Sequence, residues 1–96
     1  MKIGLIKGRH KLPLDVTKYV WEEPIPKYHM ADGKWLYETA TKSIVALHPL
    51  IAEIYVTGFS PALLAVVRVC AERHIKLICW NYDSHTFSFW KQEVLR

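Results

Sequence analysis

The run Ile54-Tyr55-Val56-Thr57-Gly58-Phe59-Ser60-Pro61 constrains this chain more than any other stretch. An apolar strand over 54–56 halts at Thr57-Gly58. A helix-start signal follows at once, with Ser60 expected as N-cap and Pro61 at the first helical position. Such a join places unpaired backbone N–H groups and the positive end of a helix dipole at the carboxyl edge of a sheet, where an anion is favoured. Beyond it a helix over 61–73 and a second apolar strand over 75–80 complete a βαβ unit. The two strands are therefore expected to be parallel neighbours with a right-handed crossover.

Residues 2–7 read as a buried first strand, because Ile3, Leu5 and Ile6 make a near-continuous apolar run. Its end is basic: Lys7, Gly8, Arg9, His10 and Lys11 leave the strand together. A solvated loop would explain the charges, but in an open α/β sheet ligands bind outside the carboxyl ends of the strands. This position makes Lys7, Gly8, Arg9 and His10 candidate ligand-binding residues together with Thr57, Gly58, Phe59 and Ser60. Asn81, just beyond the second strand of the βαβ unit, joins them. If the two runs share one pocket, Gly8 and Gly58 must leave the sheet at the same edge.

Between 12 and 33 the sequence is irregular, with Pro13, Pro24 and Pro26 forbidding a helix across the stretch. Thr17 to Trp21 carries β-favouring residues and is assigned a short edge strand. His29 is taken as a surface histidine and Glu22-Glu23 as a solvated pair. Asp32 can cap a helix starting near Lys34, with Leu36, Ala40, Ile44 and Leu47 as its apolar stripe and Pro49 ending it. The helix over 61–73 differs, since Leu63, Leu64, Val66, Val67, Val69 and Cys70 cover more than one face. It needs two partners: the sheet, and either the long loop or a second copy of the chain. The second copy is preferred, which makes a homodimer the expectation. After Trp80, the Asp83-Ser84 turn chemistry suggests a hairpin into a last antiparallel strand over 87–90. The resulting fold class is α/β: a small, mostly parallel sheet with an antiparallel edge hairpin and two main helices.

Composition narrows the functional classes. A chain of 96 residues makes one domain, 1–96, and 51% apolar content with 12% aromatic excludes a disordered polypeptide. A net charge of +4 and a pI near 9.2 favour an acidic partner. Cys70 and Cys79 match no zinc or redox spacing and read as reduced core cysteines, as in a cytosolic protein. No apolar run approaches the ~20 residues of a membrane span, so a cytoplasmic location is expected. No catalytic triad, carboxylate dyad, Walker loop or metal-ligand cluster is visible, and neither a cofactor nor a metal is expected.

At residues 56–63 the sequence resembles the ligand motif of the CRISPR-associated Rossmann fold sensors, in which a strand ends in Thr-Gly-Gly-Thr-Lys before an apolar helix. Thr57, Gly58 and Ser60 match in type; Phe59 stands where the family has its second glycine and Pro61 where it has lysine. The helix that follows, a strand ending in aromatic and polar residues, Tyr82-Asp83 and a hairpin are also similar. The likeness covers less than half of the chain and is nearest to the standalone ring nucleases of that group. It implies a Rossmann-like dimer that binds cyclic oligoadenylate at the carboxyl ends of its strands, in antiviral defence.

Three functions follow as expectations. The first is binding of an anionic nucleotide-type ligand, a cyclic oligonucleotide messenger among the candidates, between the basic run and the Thr57–Ser60 turn, as a sensor or a sequestering protein. The second is metal-independent phosphodiester cleavage in the same pocket, with His10 as general acid or base and Lys7 or Arg9 offsetting charge on phosphate. The third is a small protein-binding inhibitor from a mobile element, using Tyr19, Trp21, Tyr28 and Trp35 as anchors.

Overall fold

A computed structural model describes residues 1–8 and 11–96. The elements are β1 (Lys2–Ile6), β2 (Lys18–Trp21), a single 3₁₀ turn (Lys27–His29), α1 (Gly33–Leu47), β3 (Ile51–Tyr55), α2 (Ser60–Glu72), β4 (Lys76–Asp83) and β5 (Ser88–Leu95). They build one five-stranded sheet in the order β2-β1-β3-β4-β5. All neighbours are parallel except the β4–β5 hairpin. This is the expected mixed α/β fold, and β2 is the short edge strand anticipated near Trp21.

Topology fixes where the helices go. The crossovers β2–α1–β3 and β3–α2–β4 step across the sheet in the same direction, so right-handed connections place both helices on one face. They pack side by side there, with the Arg68 guanidinium 4.0 Å over the Tyr37 ring. The result is two layers. Ile3, Ile54 and Cys79 lie in register across β1, β3 and β4, and Ala52 is opposite Leu77. With Leu5 and Val20 this row meets Leu36, Ala40 and Ile44 of α1, and Ala62, Val66, Val69 and Cys70 of α2, in one apolar core.

This arrangement corrects the account of α2. Its second apolar face is met by α1, a partner the sequence reading did not weigh, because two same-handed crossovers on one side of a sheet must be neighbours. Leu64 alone of the large residues in its apolar run stays well exposed, at 66%.

The β1–β2 connection steps the opposite way and crosses the other sheet face without a helix. Its Leu12 reaches the position above Gly4, and its Asp15 carboxylate accepts a hydrogen bond from Lys2 Nζ at 2.9 Å. Lys2 and Gly4 share the face opposite Ile3 and Leu5, since side chains alternate along a strand. Over β3, β4 and β5 that same face carries no helix.

The ends of the elements show where local chemistry acts. Asp32 caps α1 as expected, its Oδ1 accepting from Trp35 N at 3.1 Å. The helix closes at His48, which takes a left-handed conformation (φ 52°) and donates its N–H to the Ile44 carbonyl at 2.9 Å. The hairpin strands are longer than the sequence suggested. Residues 81–83, read there as turn, remain paired with 88–90, and the turn is confined to 84–87. Asp83 Oδ1 accepts from His85 N at 2.9 Å and tightens it.

Candidate functional site

Because β1 and β3 are parallel neighbours, the chain leaves both at the same edge of the sheet, and Gly8 and Gly58 both follow there. Each takes a positive φ, 84° and 83°, a conformation open to glycine at little cost. At Gly58 the chain turns from β3 into α2. The helix starts one residue earlier than expected: Phe59 is the N-cap and Ser60 is already helical, so the Ser60 hydroxyl does not cap it. Among the described residues no side chain caps this end, and no acidic residue stands in its first turn. The first-turn N–H groups of any α-helix lack intrahelical acceptors, and Pro61 has none to offer, which leaves Ser60 and Ala62 to present them.

Thr57 adds a second feature. It is 2% exposed, and its buried Oγ1 has no hydrogen-bond partner among the described residues. Buried hydroxyls are paired in the great majority of proteins, so this orphan, next to Gly58 but outside the lining of the cleft, is a polar group that the turn itself leaves unanswered.

A cleft of about 620 Å³ opens at this edge, lined by Lys11, Leu12, Val56, Gly58, Asn81, Tyr82 and Phe89. Its walls come from the segment after β1, the β3–α2 turn and the hairpin. Lys11 brings a cation, and no carboxylate is among the described lining residues. Asn81 Nδ2 donates to Gln92 Oε1 at 3.2 Å, which ties this lining residue to β5. On the same sheet face as the hairpin rings lies an aromatic cluster. Tyr55 stacks on Trp80 at 5.8 Å and takes the edge of Phe89 at 5.0 Å, and Trp80 Nε1 donates to Glu53 Oε1 at 3.2 Å. Burial, ahead of nearby charges, pushes the Tyr55 phenol above its ordinary range, so it is a packed neutral group rather than a base.

The structure thus brings Gly58 and Asn81 into the cleft wall and places Thr57, Phe59 and Ser60 in the same turn. It does not bring Lys7 there. The Lys7 N–H donates to the Trp21 carbonyl at 3.0 Å and its Nζ is 4.0 Å from Glu22, which holds it toward β2. Gly8 is exposed at the same edge but outside the lining. Arg9 and His10, including the candidate catalytic role of His10, lie outside the described residues. Sequence reasoning missed Lys11, Leu12, Val56, Tyr82 and Phe89 as lining. Tyr82 and Phe89 were findable: they are partners across the hairpin, and extending its strands in register would have paired them.

The proposed protein-binding anchors are mostly used inside the molecule. Trp21 is 6% exposed, and its Nε1 donates to Thr39 Oγ1 at 2.9 Å. The Trp35 ring stacks on His29 at 4.2 Å, which makes that histidine part of the α1 entry and leaves its Nδ1 3.6 Å from Asp32. Tyr19 lies over Gly4. Tyr28 remains exposed, at 80%.

Among the described residues no three His, Cys, Asp or Glu side chains come together to hold a metal, and no helix is long and apolar enough to cross a membrane. The chain matches no protein-family model, no curated protein and no solved structure, so its function is argued from this cleft.

Proposed function

We propose that the protein binds a phosphate-bearing, nucleotide-type ligand in the cleft at the carboxyl edge of the sheet, as a sensor or sequestering protein. The observation that carries this reading is the convergence at one turn of an orphan buried hydroxyl (Thr57), a positive-φ glycine (Gly58) and the uncapped start of α2, beside a cleft that contains a lysine and no described carboxylate. Backbone N–H groups at a helix start suit phosphate oxygens, and the helix dipole adds to their attraction. A cyclic oligonucleotide, as the resemblance at residues 56–63 implies, is the first ligand class to try.

Isothermal titration with cyclic and linear oligoadenylates, followed by chromatography of the recovered ligand, tests this. Binding that weakens roughly tenfold in Lys11→Ala, the loss of one charge-assisted hydrogen bond, supports the reading. Thr57→Val, which removes the hydroxyl and keeps the shape, should also weaken it. Binding unchanged by both substitutions contradicts the site. Ligand recovered intact supports holding rather than cutting. Chelator-insensitive loss of a cyclic species that stops in His10→Ala would make the protein a nuclease instead.

A further inference from the structure

The lining of the cleft combines Lys11 and the Gly58 turn with two aromatic rings of the hairpin, Tyr82 and Phe89. We infer that Phe89 and Tyr82 form a stacking seat for a nucleobase, so that the site takes a nucleotide whose base is free of a pairing partner and not a bare phosphate or sugar phosphate. This inference rests on the reading of the cleft as a phosphate site and adds a second subsite to it.

Tyr82 and Phe89 are direct cross-strand partners on β4 and β5, with ring centroids 5.3 Å apart and planes tilted by 57°. Both line the cleft, and Tyr82 is 52% exposed. Tyr82 stands exposed on its strand, and its ring is set against Phe89, which is half-buried. Phe89 is braced on the same sheet face by Tyr55 in an edge-to-face contact at 75°, and Tyr55 is itself 4% exposed against Trp80. The seat is built on paired strands rather than on a loop, so little order is lost when a ligand docks. An apolar wall alone would suit any greasy group. Flat rings sharing one cleft with Lys11 and the Gly58 turn suit a ligand with a π-face at one end and phosphate at the other.

The test compares nucleoside 5′-monophosphates with ribose 5-phosphate by isothermal titration, on wild-type protein and on Tyr82→Leu and Phe89→Leu. In the wild type at least one nucleotide should bind about 5- to 150-fold more tightly than ribose 5-phosphate, the range that a base–aromatic stack is worth. Leucine keeps an apolar group at each position, and Tyr82→Leu changes an exposed residue, so thermal melts should show both variants folded. In each, the advantage of the nucleotide should fall several-fold while ribose 5-phosphate binds as before. Equal affinity for nucleotide and sugar phosphate in the wild type, or an advantage that survives both substitutions, overturns the stacking seat and leaves the phosphate site standing. If neither compound binds, both readings fall together.

Discussion

Gly4 shows how one residue sets a local arrangement. A Cβ built there would lie 2.4 Å from Tyr19 Cδ1 and 2.9 Å from Leu12 Cδ1, so the absence of a side chain is what lets the Tyr19 ring and the β1–β2 connection close over the sheet. Gly4→Ala is expected to destabilise the fold by about 1–3 kcal/mol in denaturant titration, as overpacking does. Combined with Tyr19→Ala it should cost clearly less than the sum of the two changes, because the second makes room for the first. Cys70 makes a different residue-scale prediction. Burial, with a smaller contribution from Cys79, pushes its thiol from 9.0 up to about 11. The folded state therefore prefers the neutral thiol. Its contribution to stability is complete below about pH 9 and is lost as pH rises toward 11. Alkaline melts of the wild type should fall over that window more steeply than those of Cys70→Ala, and both buried thiols should react slowly with thiol reagents at neutral pH.

The two helix starts look alike in sequence and differ in space. Asp32-Gly33 and Ser60-Pro61 both read as caps, but only the Asp32 side chain accepts a hydrogen bond from its helix. Asp32→Ala should cost about 1 kcal/mol in denaturant titration, whereas Ser60→Ala should be near neutral in the unliganded protein. An equal loss at both positions would contradict the observed cap geometry. The elements themselves were legible because their periodicity is strong. The Leu36–Ala40–Ile44 stripe, the near-continuous apolar run of β1 and the Gly58 break each follow from short-range rules. What was not legible is pairwise and distant. Whether α2 meets a loop, another copy or α1 depends on which sheet face each crossover takes. The inward turn of Trp21 depends on Thr39, eighteen residues away. The hairpin ends were misplaced because Asn81 and Asp83 carry turn-favouring side chains in positions where cross-strand pairing wins.

At the scale of the whole molecule, a two-layer sheet with both helices on one side has two opposite edges, and each bears a basic opening. At the amino edge of β3 and β4, His48, Arg73 and His74 line a cleft of about 350 Å³ with Ile44, Val45, Pro49, Leu50 and Ile75. That edge receives the carboxyl ends of both helices, where the dipole disfavours an anion. The carboxyl edge of the sheet receives the start of α2 and the orphan Thr57 hydroxyl, which is why the ligand is assigned there. The sequence pointed to this edge through Gly8 and Gly58, but the cleft's other walls come from β4 and β5, beyond the reach of any local motif. The most direct measurement is an amide NMR titration of labelled protein with a nucleoside 5′-monophosphate. The largest shifts are expected at the backbone amides of Gly58, Phe59 and Ser60 and at the Asn81 side-chain amide. Shifts concentrated at His48–Leu50 and Arg73–Ile75, or none at saturating ligand, would contradict that placement of the ligand.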